Sequence, residues 1–529
     1  MYSQCRRNLN PRVRVRYVSP PQPVITPNEF PPRGRVIIGE LPDNVLLNIF
    51  RYYLDVSSRH WPRLVHICRR WRHIVFNSLQ TLQLRLFCTH GTPVAKTLGC
   101  WPTVPIAVRY GGYLELDPPG PEDEDNIIAA LKQPGRVSSI SLTVTSSLLE
   151  KLSSIRGPFP ELEDLILLSR DGVPLSFPSA FLCCPRLRCL RLTSTAFPAL
   201  LRLLYFSPNL VDLQLHEVLN SWCFSPEVFV DALSGMAQLR SLSLHFVSTT
   251  DYALQLSQSE SWGHRVILPV LTRLDVRGIS QYLERLVARI DAPRLGDIEI
   301  TLVNENIIGF PNLREFVDRI EMHKSHRRAH ILSSEHSISI SFIHPGAPAC
   351  LKFQFFCEPL NEQLLFMTEL CVYLSNFLFN VEDLRVSTTR PLGQGGSDYS
   401  GWRALLDSFT SVQRFHVAGN LSTYVVRALQ LLGWEGDTVI PSLHTLYIAE
   451  PGPRHAPLRE AVVATMVSRR LSGHPIVVEY ERLRNINESC GAGPPSQQVM
   501  IDMLSDDIFL NIFRDYLNGA PRTWPTLTL

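Results

Sequence analysis

The sequence lacks any long apolar segment. No run of about 18 apolar residues, the length that a helix needs to cross a bilayer, occurs among its 529 positions. The most apolar window, residues 364–379 (LLFMTELCVYLSNFLF), is interrupted by Thr368, Glu369, Ser375 and Asn376. We therefore predict that this window forms a buried amphipathic helix, and we expect no membrane partner.

The sequence also lacks an export signal and closely paired cysteines. No apolar run of signal-peptide length follows Met1. The 12 cysteines are scattered, and none is spaced as Cys-x-x-Cys, which argues against a zinc ribbon or a RING-type module. Cys183, Cys184 and Cys189 form a local cluster, which we interpret as buried thiols that pack a repeat. We expect reduced thiols in a cytoplasmic or nuclear protein.

Compact catalytic and cofactor motifs are missing as well. The patterns Gly-x-Ser-x-Gly and His-Glu-x-x-His do not occur. The glycine-rich residues 393–398 (GQGGSD) lack the spacing of a dinucleotide-binding turn, so we interpret them as a loop. An enzyme built on this chain would need a pocket with converging titratable groups, and the sequence offers no candidate. We predict no enzymatic activity, no cofactor and no catalytic residue.

Three histidines in the stretch HKSHRRAH, namely His323, His326 and His330, are three and four residues apart. Zinc ligands occur at this spacing on a helix, but no carboxylate or thiol adjoins them to complete a closed site. We therefore predict no metal site here and interpret the stretch as the solvated end of a helix.

Neither sign of charge is in excess over the whole chain, since 51 Lys and Arg residues stand against 49 Asp and Glu residues. This balance argues neither for nor against a particular partner, and we expect no nucleic acid. Residues 1–36 are the exception, with seven arginines, seven prolines and a single acid, Glu29. Such a segment buries too little apolar surface to offset its ordering entropy, so we predict a disordered basic tail. A nuclear address within it is an alternative interpretation.

Residues 41–76 have the pattern of short amphipathic helices. Pro42 suits the first turn of a helix, where its missing N–H group is not needed. A broad apolar face follows at helical spacing, formed by Leu46, Ile49, Phe50, Tyr53 and Leu54. A second stretch, ICRRWRHIVF, places basic residues opposite an apolar face formed by Ile67, Trp71, Ile74 and Val75.

These apolar side chains are too many for a module of about 40 residues to bury by itself. Surplus apolar surface on a small helical module usually marks a docking site. The alternative is that the helices only cap the rest of the protein.

The same residues resemble an F-box. That family begins with Leu-Pro, continues with an Ile-Phe pair followed by Leu, and has Cys-x-x-Trp near its end; here these are Leu41-Pro42, Ile49-Phe50, Leu54 and Cys68 to Trp71. The resemblance implies a three-helix module, at residues 37–78, that docks on a Skp-type adaptor and thereby joins a cullin-based ubiquitin ligase. It assigns adaptor binding to Leu41, Pro42, Leu46, Ile49, Phe50, Leu54 and Trp71.

Residues 79–482 repeat the pattern L-x-x-L-x-L, with other aliphatic residues allowed. Successive units from Val137 to Leu295 begin 23 to 32 residues apart. The alternation of aliphatic and other residues at the end of each unit predicts a short strand with one buried face. The intervening segments, such as 225–238, have helical spacing. The units begin at Leu79, Val137, Leu162, Leu187, Leu210, Leu239, Leu271, Leu295, Val381, Val412 and Leu443.

One strand and one helix per unit resemble leucine-rich repeats, which stack into a solenoid with a parallel sheet. The predicted fold class is therefore α/β: a small three-helix module followed by an irregular leucine-rich-repeat-like solenoid. Residues 301–380 make it irregular because they lack a clean unit, although FPNLREFVDRI and SISISFI predict a helix and a strand there. An ordinary α/β domain with repeated βα units is the alternative.

The two resemblances together imply a non-catalytic substrate receptor of a ubiquitin ligase, in which the F-box binds the adaptor and the repeats bind an unknown target protein. Exposed strand positions are the candidates for target binding: Arg188, Arg191, Asp212, Gln214, Arg273 and Asp275. The alternative is a protein-interaction scaffold whose F-box-like helices only cap the solenoid.

The chain repeats its first module late in the sequence. Residues 504–529 share 13 of 26 positions with residues 41–66. Residues 483–502, which include a Gly/Pro/Ser/Gln-rich stretch, predict a flexible linker before this copy. No equivalent of ICRRWRHIVF occurs within residues 503–529. We interpret them as a truncated second F-box-like segment, a tethered amphipathic helix with no adaptor binding of its own.

Overall fold

A computed structural model describes residues 38–56, 61–90, 94–110, 119–155, 157–169, 183–194, 200–218, 225–246, 265–303, 310–320, 326–343, 350–357, 359–389, 399–419, 422–429, 439–450 and 456–482. The chain divides into two compact units, residues 1–84 and residues 85–529. The predicted tail at 1–36, the linker at 483–502, the second F-box-like segment at 503–529, the loop at 393–398 and His323 lie outside the described residues. None of the described helices is long and apolar enough to cross a membrane.

The described part of the first unit contains three helices after a 3-10 turn at Ile38–Glu40: α1 at Asp43–Val56, α2 at Trp61–Val65 and α3 at Arg69–Asn77. Pro42 stands immediately before α1, and its carbonyl accepts the backbone N–H groups of Val45 and Leu46. A proline suits this place because the helix needs no N–H from it. The predicted three-helix module is confirmed.

The prediction of a repeat strand at Leu79-Leu82-Leu84 is wrong. Residues 78–83 form turns, in which Leu84 N donates to Leu79 O and Gln83 adopts a left-handed backbone with φ 49°. Leu82 and Leu84 are buried. The aliphatic spacing in this segment therefore reflects packing in the helical unit and not a strand.

The second unit is built on one long sheet, which in the described residues has 16 strands in the order β1-β2-β3-β4-β5-β6-β7-β9-β11-β14-β13-β12-β15-β16-β17-β18, while β8 and β10 pair separately. The strands are β1 Leu86–Cys88, β2 Ile106–Tyr110, β3 Val137–Val144, β4 Asp164–Ser169, β5 Cys189–Thr193, β6 Asp212–Val218, β7 Ser241–Phe246, β8 Val266–Ile267, β9 Arg273–Gly278, β10 Ile290–Asp291, β11 Asp297–Val303, β12 Arg328–Ser333, β13 Ser337–Ile343, β14 Cys350–Phe356, β15 Asp383–Thr388, β16 Arg414–Gly419, β17 Thr445–Glu450 and β18 Val477–Arg482.

Helices stand between most of these strands and contact the helix of the neighbouring repeat, as α9 with α10 and α13 with α14 do. They are α4 Val94–Thr97, α5 Pro121–Leu131, α6 Ser146–Ser153, α7 Leu200–Tyr205, α8 Pro226–Leu233, α9 Ser280–Arg289, α10 Pro311–Asp318, α11 Leu360–Tyr373, α12 Ser375–Leu378, α13 Tyr399–Leu406, α14 Ser422–Ala428 and α15 Ala456–Leu471. Apart from β12 to β14, the order of the strands in the sheet follows their order in the chain. It never reverses around a central strand, as it does in a doubly wound α/β domain. The predicted repeat solenoid with a parallel sheet is confirmed.

Side chains alternate between the two faces of the sheet along each strand. Leu165, Leu190, Leu213, Leu242 and Leu274 lie in register across β4, β5, β6, β7 and β9, and all are buried. This aliphatic ladder faces the core between the sheet and the helices. The intervening side chains lie on the opposite side, which we call the open face, because successive residues of a strand point to opposite sides.

The irregular region between residues 301 and 380 is an antiparallel insertion. Strands β12, β13 and β14 form a meander, in which β14 pairs with β11 and β12 pairs with β15, both in parallel. The predicted helix in FPNLREFVDRI is α10 and the predicted strand SISISFI is β13. The window at 364–379 forms α11 and α12 with Leu364, Met367 and Leu370 buried, so that prediction is also confirmed.

The interpretation of HKSHRRAH as the solvated end of a helix is wrong. His326 is buried and His330 lies in strand β12, where Ala329, Ile331 and Ser333 alternate into the core. A short strand with one alanine and one serine among its core positions gives a weak apolar signal. Pairing with β13 and β15 on both sides decides the conformation of this segment.

Arg136 holds the segment between α4 and β2 in place. Its guanidinium donates to the backbone carbonyls of Leu98 (3.3 Å), Trp101 (2.5 Å) and Val104 (2.9 Å), and to Oε1 of Gln133 (2.5 Å). Carbonyls at the ends of turns need such donors when they are removed from water. The planar guanidinium serves several of them at once because its donors form a fixed fork.

We expect Arg136→Met to lower the free energy of unfolding of the second unit by about 2–4 kcal/mol, since it leaves buried carbonyls without donors. Urea-induced unfolding followed by circular dichroism measures the difference. The control is Arg240→Met, at an exposed arginine, which we expect to stay within about 0.5 kcal/mol of the parent. Equal losses in the two variants would contradict the assignment.

Candidate docking surfaces

The helical unit is held together by aromatic packing between its helices. The rings of Phe50 on α1 and Trp71 on α3 lie 4.6 Å apart, and Trp61 on α2 meets Phe76 on α3 edge-on at 6.4 Å. Phe50 and Trp61 are each 1% exposed. Aromatic pairs at such distances add to the free energy of burial. Two buried rings, Phe50 and Trp61, therefore pack among aliphatic core residues such as Leu46, Leu64 and Val75.

The Cys-x-x-Trp stretch at the start of α3 has a distinct structural role for each of three residues. Cys68 caps the helix, with its Sγ accepting the N–H of Trp71 at 3.4 Å. Arg70 binds the start of α1, donating from Nη2 to Oδ1 of Asp43 at 2.6 Å and to the carbonyl of Leu41 at 2.5 Å. Trp71 supplies the ring that packs on Phe50. The stretch thus fixes α3 against α1.

Helix α1 has more apolar surface than the core covers. Leu46, Phe50 and Leu54 occupy one side of the helix and are buried. The adjacent side carries what we call the α1 stripe, four residues at positions i, i+4, i+7 and i+8: Val45, Ile49, Tyr52 and Tyr53. Ile49 is 46% exposed and Tyr52 is 76% exposed. Side chains of this size on one exposed face of a small module mark it as a docking surface.

The seven residues that the F-box resemblance assigns to adaptor binding separate into two groups. Leu46, Phe50 and Leu54 are in the interior, while Leu41 and Trp71 are half-buried and Pro42 and Ile49 are exposed. Interior residues shape the surface without being available to a partner in this conformation. The sequence pattern did not single out Val45 and Tyr52 on the α1 stripe. Their helical spacing from Ile49 is the signal that identifies them.

The six candidate target-binding residues lie on or beside the open face, and most of them bind one another or their neighbours. Arg191 and Asp212 approach to 4.0 Å, and Gln214 Nε2 donates to Oδ2 of Asp212 at 2.9 Å. Arg273 lies 3.6 Å from Asp297 on the next strand. Such pairs between strands satisfy the charges within the sheet. Arg188, beside β5, is exposed.

Asp275, the sixth candidate, belongs to a polar cluster on β6, β7 and β9. Its Oδ2 accepts the Ser243 hydroxyl at 2.9 Å and lies 2.9 Å from His245 Nε2. The rings of His216 and His245 stack at 4.2 Å, and His216 Nε2 lies 3.0 Å from Ser243 Oγ. His245 Nε2 also lies 3.4 Å from Ser243 Oγ, so this ring contacts the serine and the carboxylate through the same nitrogen, whereas the imidazole of a catalytic triad uses its two different nitrogens.

Burial and neighbouring charges shift the pKa values of groups on the open face. Burial lowers the pKa of His216, and the adjacent His245 lowers it further. Burial by itself raises the pKa of Asp275, but hydrogen bonds from His245 and Ser243 outweigh it and hold that pKa below its usual range. Burial and the charge of Arg385 lower the pKa of His330. His216 and His330 are therefore neutral near pH 7.

The buried thiols have none of the properties of nucleophiles. Burial raises the pKa of Cys88 to about 11, and its Sγ lies 3.5 Å from Tyr110 Oη. Burial raises the pKa values of Cys184 and Cys189 to about 12. Reactive cysteines need a lowered pKa. Within the predicted cluster Cys184 is buried as expected, whereas Cys183 is exposed, because the two are consecutive residues before a turn.

Among the residues that the structure describes, no three or more His, Cys, Asp or Glu side chains are arranged to hold a metal ion.

Comparison with known proteins agrees with the helical unit. Residues 38–81 match the F-box-like family model. No curated protein matches the chain. The crystal structure of the leucine-rich repeat-containing protein LegL7 from Legionella pneumophila is similar with a TM-score of 0.25 and 14% identity, covering 74% of this chain and 98% of that chain. A TM-score this low carries no argument, so the repeat fold rests on strand order and register.

We expect Phe50→Ala to destabilise the helical unit by about 3–5 kcal/mol, because it removes a ring from a core that has few others. Hydrogen exchange of residues 43–77 in the full chain, read by mass spectrometry, measures the loss of protection. Tyr52→Ala removes a ring of similar size from the surface, and we expect it to change protection by less than about 0.5 kcal/mol. Equal effects of the two substitutions would contradict the assignment of interior and surface.

The charge of Arg385 lowers the pKa of His330. Arg385→Gln is therefore expected to raise the titration midpoint of His330, because a neutral neighbour no longer opposes protonation. Histidine-selective NMR titration measures the midpoints. His216 serves as the internal control, since its shift comes from burial and other neighbours. An unchanged His330 midpoint, or an equal movement of both histidines, would show that the assigned cause is wrong.

Proposed function

We propose that this protein is a non-catalytic substrate receptor of a Skp-cullin-F-box ubiquitin ligase in the cytoplasm or nucleus. The F-box-like helices dock on a Skp-type adaptor, and through it on a cullin, while the repeats bind a target protein. The observation that carries the proposal is the α1 stripe: an exposed apolar surface on a domain that matches the F-box-like family.

The α1 stripe has the composition of a protein interface. Two of its members are tyrosines, which are enriched in interfaces because they combine a large apolar ring with a polar end. Full burial of one side chain such as Ile49 in an interface contributes about 1.5–3 kcal/mol to the free energy of binding. Arg70, the Cys68 cap and the Phe50–Trp71 pair hold α1 in a defined orientation. A rigid helix face loses little conformational entropy on docking.

Ubiquitin transfer then follows from proximity. The receptor holds target lysines near a charged ubiquitin-conjugating enzyme and raises their local concentration there. The receptor itself supplies no nucleophile in this scheme. The raised pKa values of the buried thiols agree with that role.

The test introduces charge into the α1 stripe. We expect the double variant Ile49→Asp, Tyr53→Asp to weaken binding of the full chain to a purified Skp-type adaptor by at least about 100-fold, since both side chains would enter an apolar interface. Isothermal titration calorimetry measures the dissociation constant. Both residues are exposed, so the helices stay folded, and hydrogen exchange of residues 43–77 checks this.

The matched control is Asn44→Asp, Asn48→Asp, which adds the same charge to exposed residues of α1 outside the stripe. We expect it to bind the adaptor as the parent does. If the parent fails to bind, or if both variants bind equally well, the substrate-receptor proposal is wrong. A protein-interaction scaffold is then the better description.

A further inference from the structure

The open face has a distinctive row of side chains on β12, β15, β16 and β17. His330, Arg385, His416 and Tyr447 are register partners on these successive strands. Neighbouring strands are about 4.8 Å apart, so the four side chains form a continuous line across the sheet. We call this line the open-face row.

Two arginines at this row keep uncompensated charge. Arg328 and Arg385 are exposed, and neither forms an ion pair or a side-chain hydrogen bond with a described residue. The acids beside them already hold other partners: Asp383 lies 3.4 Å from Arg414, and Glu382 lies 3.3 Å from Arg327. A guanidinium without a carboxylate partner can bind a carboxylate by donating two parallel hydrogen bonds to it.

The open face of the strands that precede β12 in the sheet differs in how its charged side chains are paired. Several of its charged side chains are joined in pairs between strands, such as Arg273 with Asp297 at 3.6 Å and Lys352 with Glu299 at 2.6 Å, while Arg277 on β9 lies over the Phe356 ring at 5.1 Å. A partner that binds there must first break these pairs or leave them in place. Between β12 and β15, by contrast, two exposed arginines that form no ion pair with a described residue lie on neighbouring strands.

The surroundings of the row suit an extended chain. The His416 ring stacks on the Tyr447 ring at 4.2 Å with an angle of 7° between the planes, which gives a flat aromatic surface. His330 is held by Ser387, with Nε2 3.1 Å from the hydroxyl oxygen. Beside the row, Ser387 and Ala418 are register partners with small side chains. These two small residues leave room for a peptide backbone beside β15 and β16, and the exposed Leu332 on β12, the register partner of Ser387, borders that space.

We propose that the open face between β12 and β17 binds an extended acidic segment of the target protein. Arg328 and Arg385 bind its carboxylates, and the stacked His416 and Tyr447 rings support its backbone. The identity of the ligand as a target segment rests on the substrate-receptor function proposed above.

A peptide is favoured over a nucleic acid by the number of charges. Nucleic-acid sites commonly neutralise about six to ten phosphates. Two unpaired arginines next to Asp383 and Glu382 fall well short of that, and carboxylates of one short segment match them better.

The experiment measures binding of fluorescein-labelled octaglutamate to the full chain by fluorescence anisotropy at low ionic strength. Octaserine and the single-stranded oligonucleotide dT8 are measured in parallel. We expect octaglutamate to bind more tightly than either. The double variant Arg328→Gln, Arg385→Gln should weaken octaglutamate binding by at least about tenfold, because it removes both charged donors.

The matched control is Arg240→Gln, Arg294→Gln, which removes the same charge from exposed arginines elsewhere in the second unit. It should change the octaglutamate affinity by less than about twofold. Equal losses in both variants would mean that net charge alone attracts the peptide and would overturn the site. Octaglutamate binding no tighter than octaserine, or tighter binding of dT8 that the double variant abolishes, would overturn it as well. No adaptor is present, so this outcome is independent of the adaptor test.

Discussion

Alternation of side chains along the strands is the constraint on which the second unit depends. Each strand must give one set of side chains to the core and the other set to the open face. The in-register ladder from Leu165 to Leu274 occupies the first set. A shift of one residue in any strand would move its aliphatic side chains to the open face, so the ladder sets the register of the sheet.

Helix α1 also separates buried from exposed side chains, but it does so with the period of a helix and not with that of a strand. Its apolar residues cover more of its circumference than α2 and α3 cover, so Leu46 and Phe50 are buried while Ile49 and Tyr52 are exposed. The core of this unit is small, and it covers only one side of α1. An exposed apolar face that the module cannot cover by itself is the physical basis for docking.

The antiparallel meander changes the sheet in the middle of the solenoid. Strand β12 skips two places in the strand order, and β13 and β14 return to fill them. Its outer positions place Arg328 and His330 beside Arg385 on β15, although more than 50 residues separate His330 from Arg385 in the chain. The closeness of Arg328 and Arg385 on the open face is therefore a product of an irregular insertion.

Local patterns in the sequence determined much of this protein. The repeat spacing predicted β3 to β7, β9, β11 and β15 to β17, because a buried row of aliphatic residues at period two needs only local alternation. The spacing of Leu46, Phe50 and Leu54 predicted α1, and the Cys-x-x-Trp stretch predicted the helix that packs on it. Tertiary structure decided what depends on distant partners. It decided which of the apolar residues of α1 are buried and which are exposed. It also decided that Leu79 to Leu84 form turns and that HKSHRRAH leads into a strand. It also decided which open-face charges are paired, because an ion pair requires two side chains from different strands to meet, and no local pattern records where that happens.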